Sequence, residues 1–308
     1  MSASADDLIA LLVFARVVQA QSFTKAAAAL GISKSLVSAR IAELEERLSM
    51  RLLLRTTRRL SLTADGLALY ERAAELARAA DLATELAVDA TGEPHGVLRV
   101  NAPVVFGEMH LATPIAKYLE QYPRVRVQLQ LSDRFEDLVE AGVDVAIRIT
   151  SKRNDSALVG KKLADDVSIV CAAPEYLVRR GRPATPQDLL QHECLRYSLM
   201  RVTDEWRFHD GRDSVSIPVD SHFESTNGGV LKSAALAGMG LVTLPSFMVT
   251  SELASGKLVR VLEEYKGPAF SIAAVYTPAK RVPRNVRSFI DLLVRHFEKP
   301  AWKPTSTR

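Results

Sequence analysis

The constraint that most narrows the fold is a glycine, Gly31, set between two segments that each open on a serine. Ser22 precedes Thr24–Leu30, and Ser33 precedes a segment running to Leu48. A serine oxygen at a helix start accepts one of the first backbone N–H groups, which have no partner in the helix. A glycine just past a helix end takes the left-handed conformation that closes it. Only Ile32 lies between Gly31 and Ser33, so the spacing predicts two helices joined by a tight turn, a helix-turn-helix. The second of them puts Leu36, Val37, Ile41, Leu44 and Leu48 inward. An earlier helix, capped by Asp6 or Asp7, carries Leu8, Leu11, Leu12, Ala15 and Val18 on one face.

Beyond Leu48 the pattern changes. Arg55, Thr56, Thr57, Arg58 and Arg59 sit between apolar Leu52–Leu54 and Leu60, Leu62, which reads as a hairpin with a basic tip, a wing. Thr63 then caps a long helix to about Ala90. Its stripe of Leu67, Tyr70, Ala74, Ala77, Leu82 and Leu86 needs a partner, and a second copy of the chain is the expected one. Thr91–Gly96 is a linker by its glycines and Pro94.

From Val97 strands and helices alternate. Val97–Ala102 is a strand closed by Pro103, and a helix covers Gly107–Gln121. Val125, Val127, Leu129 and Leu131 alternate with polar residues, Glu136–Ala141 is a short helix, and Asp144–Ile149 is a strand. Further strands fall at Val167–Ala173, Gly240–Leu244 and Ser271–Tyr276. Alternation of this kind predicts a parallel α/β sheet. About 200 residues suggest two α/β lobes with a cleft between them.

Charge placement points to a partner. Met1–Leu62 holds 9 Lys/Arg against 5 Asp/Glu, while the remaining residues balance at 31 of each, so all of the +4 excess lies in the first fifth of the 308 residues. A polyanion is the natural partner for that part. The apolar stretch Leu8–Ala20 is too short to span a membrane and contains Arg16. Asp6 and Asp7 precede it where a signal peptide is basic, so the expected location is the cytoplasm, with no membrane partner. Cys171 and Cys194 form no CxxC pair, and His192-Glu193-Cys194 supplies too few ligands for a metal. Nucleophile-elbow, P-loop, HExxH and dinucleotide motifs are missing, so neither an enzyme nor a cofactor is expected.

Ser22-Phe23-Thr24-Lys25-Ala26-Ala27, Leu30-Gly31-Ile32-Ser33, Val37-Ser38, Leu44-Glu45 and Leu62-Thr63-Ala64-Asp65-Gly66 give the chain a family likeness. It resembles the LysR-type transcriptional regulators. Gly96–Val100, Asp144–Arg148 and Ala237–Leu241 resemble that family's effector domain, in the right order. The resemblance implies a winged helix-turn-helix domain over residues 1–62, a linker and dimerisation helix with hinge over 63–95, and a two-lobed effector-binding domain over 96–308. The fold class is then α/β with a mainly helical N-terminal domain, the second domain being like a type 2 periplasmic binding protein. Departures from the family pattern are Ser49 for glycine, Leu53 for phenylalanine, Lys34 in the recognition helix, and Thr150 where glycine is frequent.

In a recognition helix the N-terminal residues face base edges. These are Ser33, Lys34, Ser35 and Ser38 here, with Lys34 suited to guanine. Ser22 and Thr24 suit a phosphate at a helix start, or cap it. Arg40 reaches a phosphate or pairs with Glu43, and Arg55 touches DNA or braces the hairpin. Thr57, Arg58 and Arg59 suit the DNA backbone or minor groove. The expected DNA partner is a partly palindromic double-stranded operator, read by a homodimer or, by the resemblance, a tetramer, with RNA polymerase a further partner. Strand ends nominate Ala102, Pro103, Val104, Ser132, Arg148, Thr150, Tyr197, Ser198 and Asn227 for a small-molecule effector. Helix N-termini there favour an organic or aromatic acid, though Pro103 weakens a direct grip on a carboxylate. A constitutive DNA binder with a vestigial cleft is the alternative reading.

Overall fold

The structure is a computed structural model. It describes residues 4–55, 60–88, 92–134, 138, 141–150, 159–199, 205–209, 214–277 and 282–302, giving the backbone alone for 55 and 82–88. The chain divides into two compact units, Met1–Gly92 and Glu93–Arg308.

The first unit packs helices α1 (Ala5–Ala20), α2 (Phe23–Leu30) and α3 (Lys34–Leu48) around Val13, Phe14, Val17, Val37, Ile41 and Leu44. The cap of α1 is Ser4 rather than Asp6 or Asp7. Its side chain takes the Asp7 N–H while Asp7 accepts from the Ser4 backbone, a capping box. These hydrogen bonds hold the Asp7 carboxyl below its usual range. The buried residues of α1 are Ala10, Val13, Phe14, Ala15, Val17 and Val18, while Leu8 turns to solvent at 41% exposure. Ser22 and Ser33 cap α2 and α3, accepting from Lys25 N at 3.3 Å and Leu36 N at 3.2 Å. Leu36 and Leu48, expected inward, are exposed.

Helix α3 ends on Ser49 at φ +53°, a left-handed conformation that costs an L-residue about 1–2 kcal/mol. Ser49→Gly should therefore raise unfolding stability by about 0.5–1 kcal/mol, less than the full relief because glycine is freer in the unfolded chain. Chemical denaturation of the two proteins checks this, and no gain would mean that Ser49 sits there without strain.

Strands β1 (Leu53–Arg55) and β2 (Leu60–Leu62) pair antiparallel, Leu53 opposite Leu62. Glu45 anchors the hairpin by accepting from Leu52 N at 2.8 Å and Leu53 N at 3.1 Å. Helix α4 (Ala64–Val88) starts on Thr63, whose Oγ1 accepts from Gly66 N at 2.9 Å. Gly66 is obligatory there, since a Cβ on it would stand 2.0 Å from the Leu52 carbonyl oxygen. Part of the stripe read as a dimer seam is spent within the unit. Ala77 joins the core and Tyr70 packs against it, Ala73 rather than Ala74 is the other core alanine, and Arg16 of α1 pairs with Asp81. Leu67 stays 53% exposed, and the side chains of Leu82 and Leu86 lie outside the described residues.

The second unit opens with the parallel strands β3 (Gly96–Ala102), β4 (Val125–Leu131) and β5 (Val145–Thr150), β3 in the middle. Between β3 and β4 run α5 (Val104–Phe106), a π-helical turn over Gly107–Leu111, and α6 (Ala112–Gln121). The expected helix at Glu136–Ala141 falls largely outside the described residues.

The sheet is mixed rather than parallel, because in the first lobe one strand runs antiparallel to both β5 and β6 (Val159–Ala172), and in the second β6 runs antiparallel to its neighbour and so serves both halves. Its residues Val159–Val167 pair with β13 (Ala269–Tyr276), and Ser168–Cys171 pair with β11 (Leu241–Pro245). One strand thus passes from the first lobe to the second between Val167 and Ser168. The second lobe adds α7 (Pro174–Arg180), β7 (Cys194–Tyr197), the hairpin β8 (Glu205–His209) with β9 (Ser214–Pro218), β10 (Glu224–Ser225), α8 (Gly228–Leu236), α9 (Ser246–Ala254) and β12 (Val259–Arg260). Helix α10 (Arg284–His296) returns to pack Phe289 and Leu293 into the core shared with β3 and β5. Trp206, Phe208, Ile217 and Tyr176 make a separate core in the second lobe.

Candidate functional site

The outer end of α3 is built from short polar side chains. Ser33 Oγ spans its cap bond and a 2.9 Å contact with Ser35 Oγ. Lys34 and Ser35 are exposed and Ser38 is half-buried on the next turn. Thr24 and Lys25 stand exposed at the start of α2, which packs against α3. Lys25 was missed in the sequence, although a cation in the first turn beside a capping serine is a readable signal for an anion partner. Arg40 is committed to carboxylates, at 3.3 Å from Asp6 and 3.6 Å from Glu43. Thr57, Arg58 and Arg59 lie outside the described residues, as does the side chain of Arg55.

In the second unit Ala102 ends β3 fully buried, and its carbonyl accepts from Ser132 N at 3.0 Å. Pro103 leads into α5 without a side-chain cap. The cap comes from Asp133, whose Oδ1 accepts from Val104 N at 3.0 Å. This helix start, read as a seat for an effector acid, therefore already holds a carboxylate of the chain. Ser132 Oγ accepts from Arg134 N. Arg148 is 8% exposed and turns along the sheet to Asn101 Oδ1 at 2.6 Å, while Thr150 ends β5 half-buried.

Across from these, burial pushes the Tyr197 hydroxyl up to about 12, and the negative charge of Asp133 adds to the shift. The two lobes thus face one another at Asp133 and Tyr197. They also meet where a Cβ on Gly229 would stand 3.4 Å from Val105. Ser198 N bonds to Ser225 O, and Asn227 caps α8 by accepting from Val230 N at 3.1 Å. Val104, Asp133, Tyr197 and the start of α8 are therefore drawn together, whereas Arg148 and Asn227 carry structural bonds.

A buried link lies where β6 changes partners. Pro245, ahead of α9, has no side chain able to cap it, and Asp166 of β6 does so instead. Its carboxylate accepts from Ser246 Oγ, from Phe247 N at 3.1 Å and from Val167 N at 2.8 Å. Burial still pushes its carboxyl up. His110, from the first lobe, contacts Phe247 O at 3.3 Å and packs on Phe106, Phe247 and Trp302. Burial holds His110 below its ordinary value, with Asp166 opposing that shift and His296 adding to it. Between the folded value and about 6.5 the unfolded chain takes up a proton that the folded chain refuses, so acidification through that window costs stability. His192 and His296 act in the same direction, and exposed His222, raised by Glu193, opposes them. His110→Gln should reduce the drop in urea midpoint between pH 7.5 and 5.5. An unchanged drop would place the sensitivity elsewhere.

The cysteines have no partners in one another. Cys171 pairs with Val242 and Cys194 with Leu241, so strand β11 separates them. Two strand spacings are about 9–10 Å, beyond the reach of a disulfide. Burial pushes both thiols up to about 12. His192 bonds to Tyr176 and Glu193 to His222, and no group of three or more metal-binding side chains occurs among the described residues. No helix among them is long and apolar enough to cross a membrane.

A capped helix-turn-helix followed by a two-lobed sheet that shares a crossing strand defines a DNA-binding regulator with a built-in effector domain. The chain belongs to the LysR-type transcriptional regulators. Residues 8–67 match the bacterial regulatory helix-turn-helix of the lysR family, and residues 91–298 match the LysR substrate binding domain. It is 36% identical over 293 residues to the transcriptional regulator PtxR of Pseudomonas aeruginosa, covering 95% of this chain and 94% of that one. The solved structure of CrgA, a LysR-type transcriptional regulator from Neisseria meningitidis, aligns with TM-score 0.61 and 33% identity over 96% of this chain and 99% of that one. The full-length virulence activator AphB of Vibrio cholerae aligns with TM-score 0.62 and 27% identity over 94% and 99%.

Proposed function

We propose that the protein is a sequence-specific, ligand-responsive transcription regulator without enzymatic activity, acting in the cytoplasm as a homodimer or a dimer of dimers. Residues 1–62 bind a partly palindromic operator, 63–95 carry the dimer seam and hinge, and 96–308 hold the effector. RNA polymerase is the further partner. The observation that carries this reading is the start of α3, where Ser33, Lys34 and Ser35 are exposed with no structural duty beyond the cap and its neighbour contact.

Ser33, Lys34, Ser35 and Ser38 address base edges, Ser22, Thr24 and Arg40 address phosphates, and Arg55, Thr57, Arg58 and Arg59 address the backbone or minor groove. The test is DNA affinity against salt, with the DNA upstream of the protein's own gene as probe. Lys34→Ala should shift base preference, and Arg58→Ala should weaken binding uniformly and lower the salt slope by about 1. Footprints and affinities unchanged in Lys34→Ala would remove its role.

The effector reading is a small organic or aromatic acid at the cleft of Val104, Ser132, Tyr197 and Ser198, closing the lobes and shifting the assembly between two states. Such an acid has to displace Asp133 from Val104 N. A second reading, a constitutive DNA binder, draws support from the same contact, because the cleft's anion seat is filled from within. A thermal-shift screen with organic acids separates the two, since a ligand at 100 times its dissociation constant stabilises by about 2.7 kcal/mol.

A further inference from the structure

The chain beyond α10 sets one large side chain against both lobes. Trp302 is 3% exposed, although it lies outside any helix or strand. Centroid to centroid, its ring stands 4.6 Å from His110 and 6.0 Å from Phe106, both of the first lobe. It is 5.6 Å from Phe297, just past α10, and 5.9 Å from Phe247 of α9 in the second lobe. The indole therefore sits at the seam where Phe106 and Phe247 meet edge to face at 5.3 Å.

Apolar contact is what holds it there. The Thr250 hydroxyl lies 3.5 Å from the Trp302 carbonyl but already donates to Ser246 O at 2.7 Å, so it adds little. The indole Nε1 is buried with no hydrogen-bond partner among the described residues. A buried donor without an acceptor costs the seated form the solvation that a released form recovers. The seat is therefore weaker than its buried area implies, and Glu298–Trp302 can leave it without breaking a helix or strand. A shift of α9 against the π-helical turn parts Phe247 from Phe106 and His110, and Trp302 touches all three. We propose that Glu298–Trp302 is a releasable clasp, with Trp302 holding the lobes in the arrangement of this structure and letting go when they move. The proposal rests on the reading of the second unit as a two-state effector domain.

The chain has two tryptophans, so Trp206→Phe leaves Trp302 as the sole indole reporter. In a urea titration of that full-length protein, Trp302 emission should move to the red at lower urea than the loss of helical circular dichroism. Coincident transitions, the behaviour of an ordinary core residue, overturn the proposal. Hydrogen exchange then compares Trp302→Ala with wild type. Amides of α5, the π-helical turn and α9 should exchange at least about tenfold faster, while those of β8 and β9, built on the separate core of the second lobe, stay within about twofold. A uniform rise, or no rise at the lobe faces, also overturns it. Faster exchange confined to those faces, with an unchanged footprint on the DNA upstream of the protein's own gene, would keep the clasp and sink the two-state regulatory reading instead.

Discussion

Gly66→Ala should be among the most damaging single-methyl additions in the N-terminal unit, destabilising it by about 2–4 kcal/mol. The added Cβ would stand 2.0 Å from the Leu52 carbonyl oxygen and 2.9 Å from its carbon, and backbone cannot swing aside as a side-chain tip can. Relief requires moving the start of α4 away from the hairpin, which also breaks the Thr63 N to Leu52 O bond at 3.1 Å. The hairpin carries the wing, so operator affinity should fall along with stability. Alanine is intrinsically the better helix former by about 1 kcal/mol, so the expected sign runs against propensity. Ala68→Gly on the exposed side of the same helix is the control and should cost only about 1 kcal/mol. Denaturant unfolding of the three proteins decides it. A Gly66→Ala variant as stable as wild type would mean that the close approach relaxes freely.

Asp166→Ala is the second large effect, at about 2–4 kcal/mol. Removing the carboxylate strands the Ser246 hydroxyl and the Phe247 N–H in a site where Asp166 is 5% exposed. Asp166→Asn should cost less. The carboxyl is pushed up by burial, so its charge is itself unfavourable, and an amide oxygen still accepts one bond. The order wild type, Asn, Ala in unfolding midpoint is the expected result. Equal losses in the two variants would show that the charge, not the hydrogen bonds, holds α9 to β6.

Local signals carried the N-terminal unit well. Ser22, Gly31, Ser33 and Thr63 each act within one turn of their own position, so their roles are written in short stretches of sequence. Helical phase was harder. Ser4 lies ahead of two aspartates that resemble caps, and Leu8 shares the spacing of Leu11, Ala15 and Val18 yet lies at the exposed helix start. Leucines at Leu36 and Leu48 were read inward by residue type alone, where exposure depends on what lies beside the helix.

In the second unit β3, β4 and β5 were legible because each is a compact alternating or apolar run. The short strands β7, β10 and β12 were not, since two to four residues carry no period, and the sheet's mixed sense depends on how β13 pairs with β5 and β6 and how β6 pairs with β11, which no local pattern records. The cleft was hardest. That Asp133 reaches Val104, or that Asp166 caps a helix 80 positions away, follows from tertiary placement and leaves no local trace.

Strand β6 sets adjacent aspartates to opposite tasks. Its pairing with β13 skips Leu163, since Ile272 stands opposite Ala164 and Ala273 opposite Lys162. This extra residue resets the in-out alternation for everything after it. Asp165 consequently faces water with Lys162 and Ser271, while Asp166 goes inside to α9. Counting therefore matters more than chemistry in this stretch. Losing a single residue there would exchange the two aspartates' faces without changing either one. Across the family's descent, single-residue gains and losses should be purged from this strand even where point changes among its exposed lysines are tolerated.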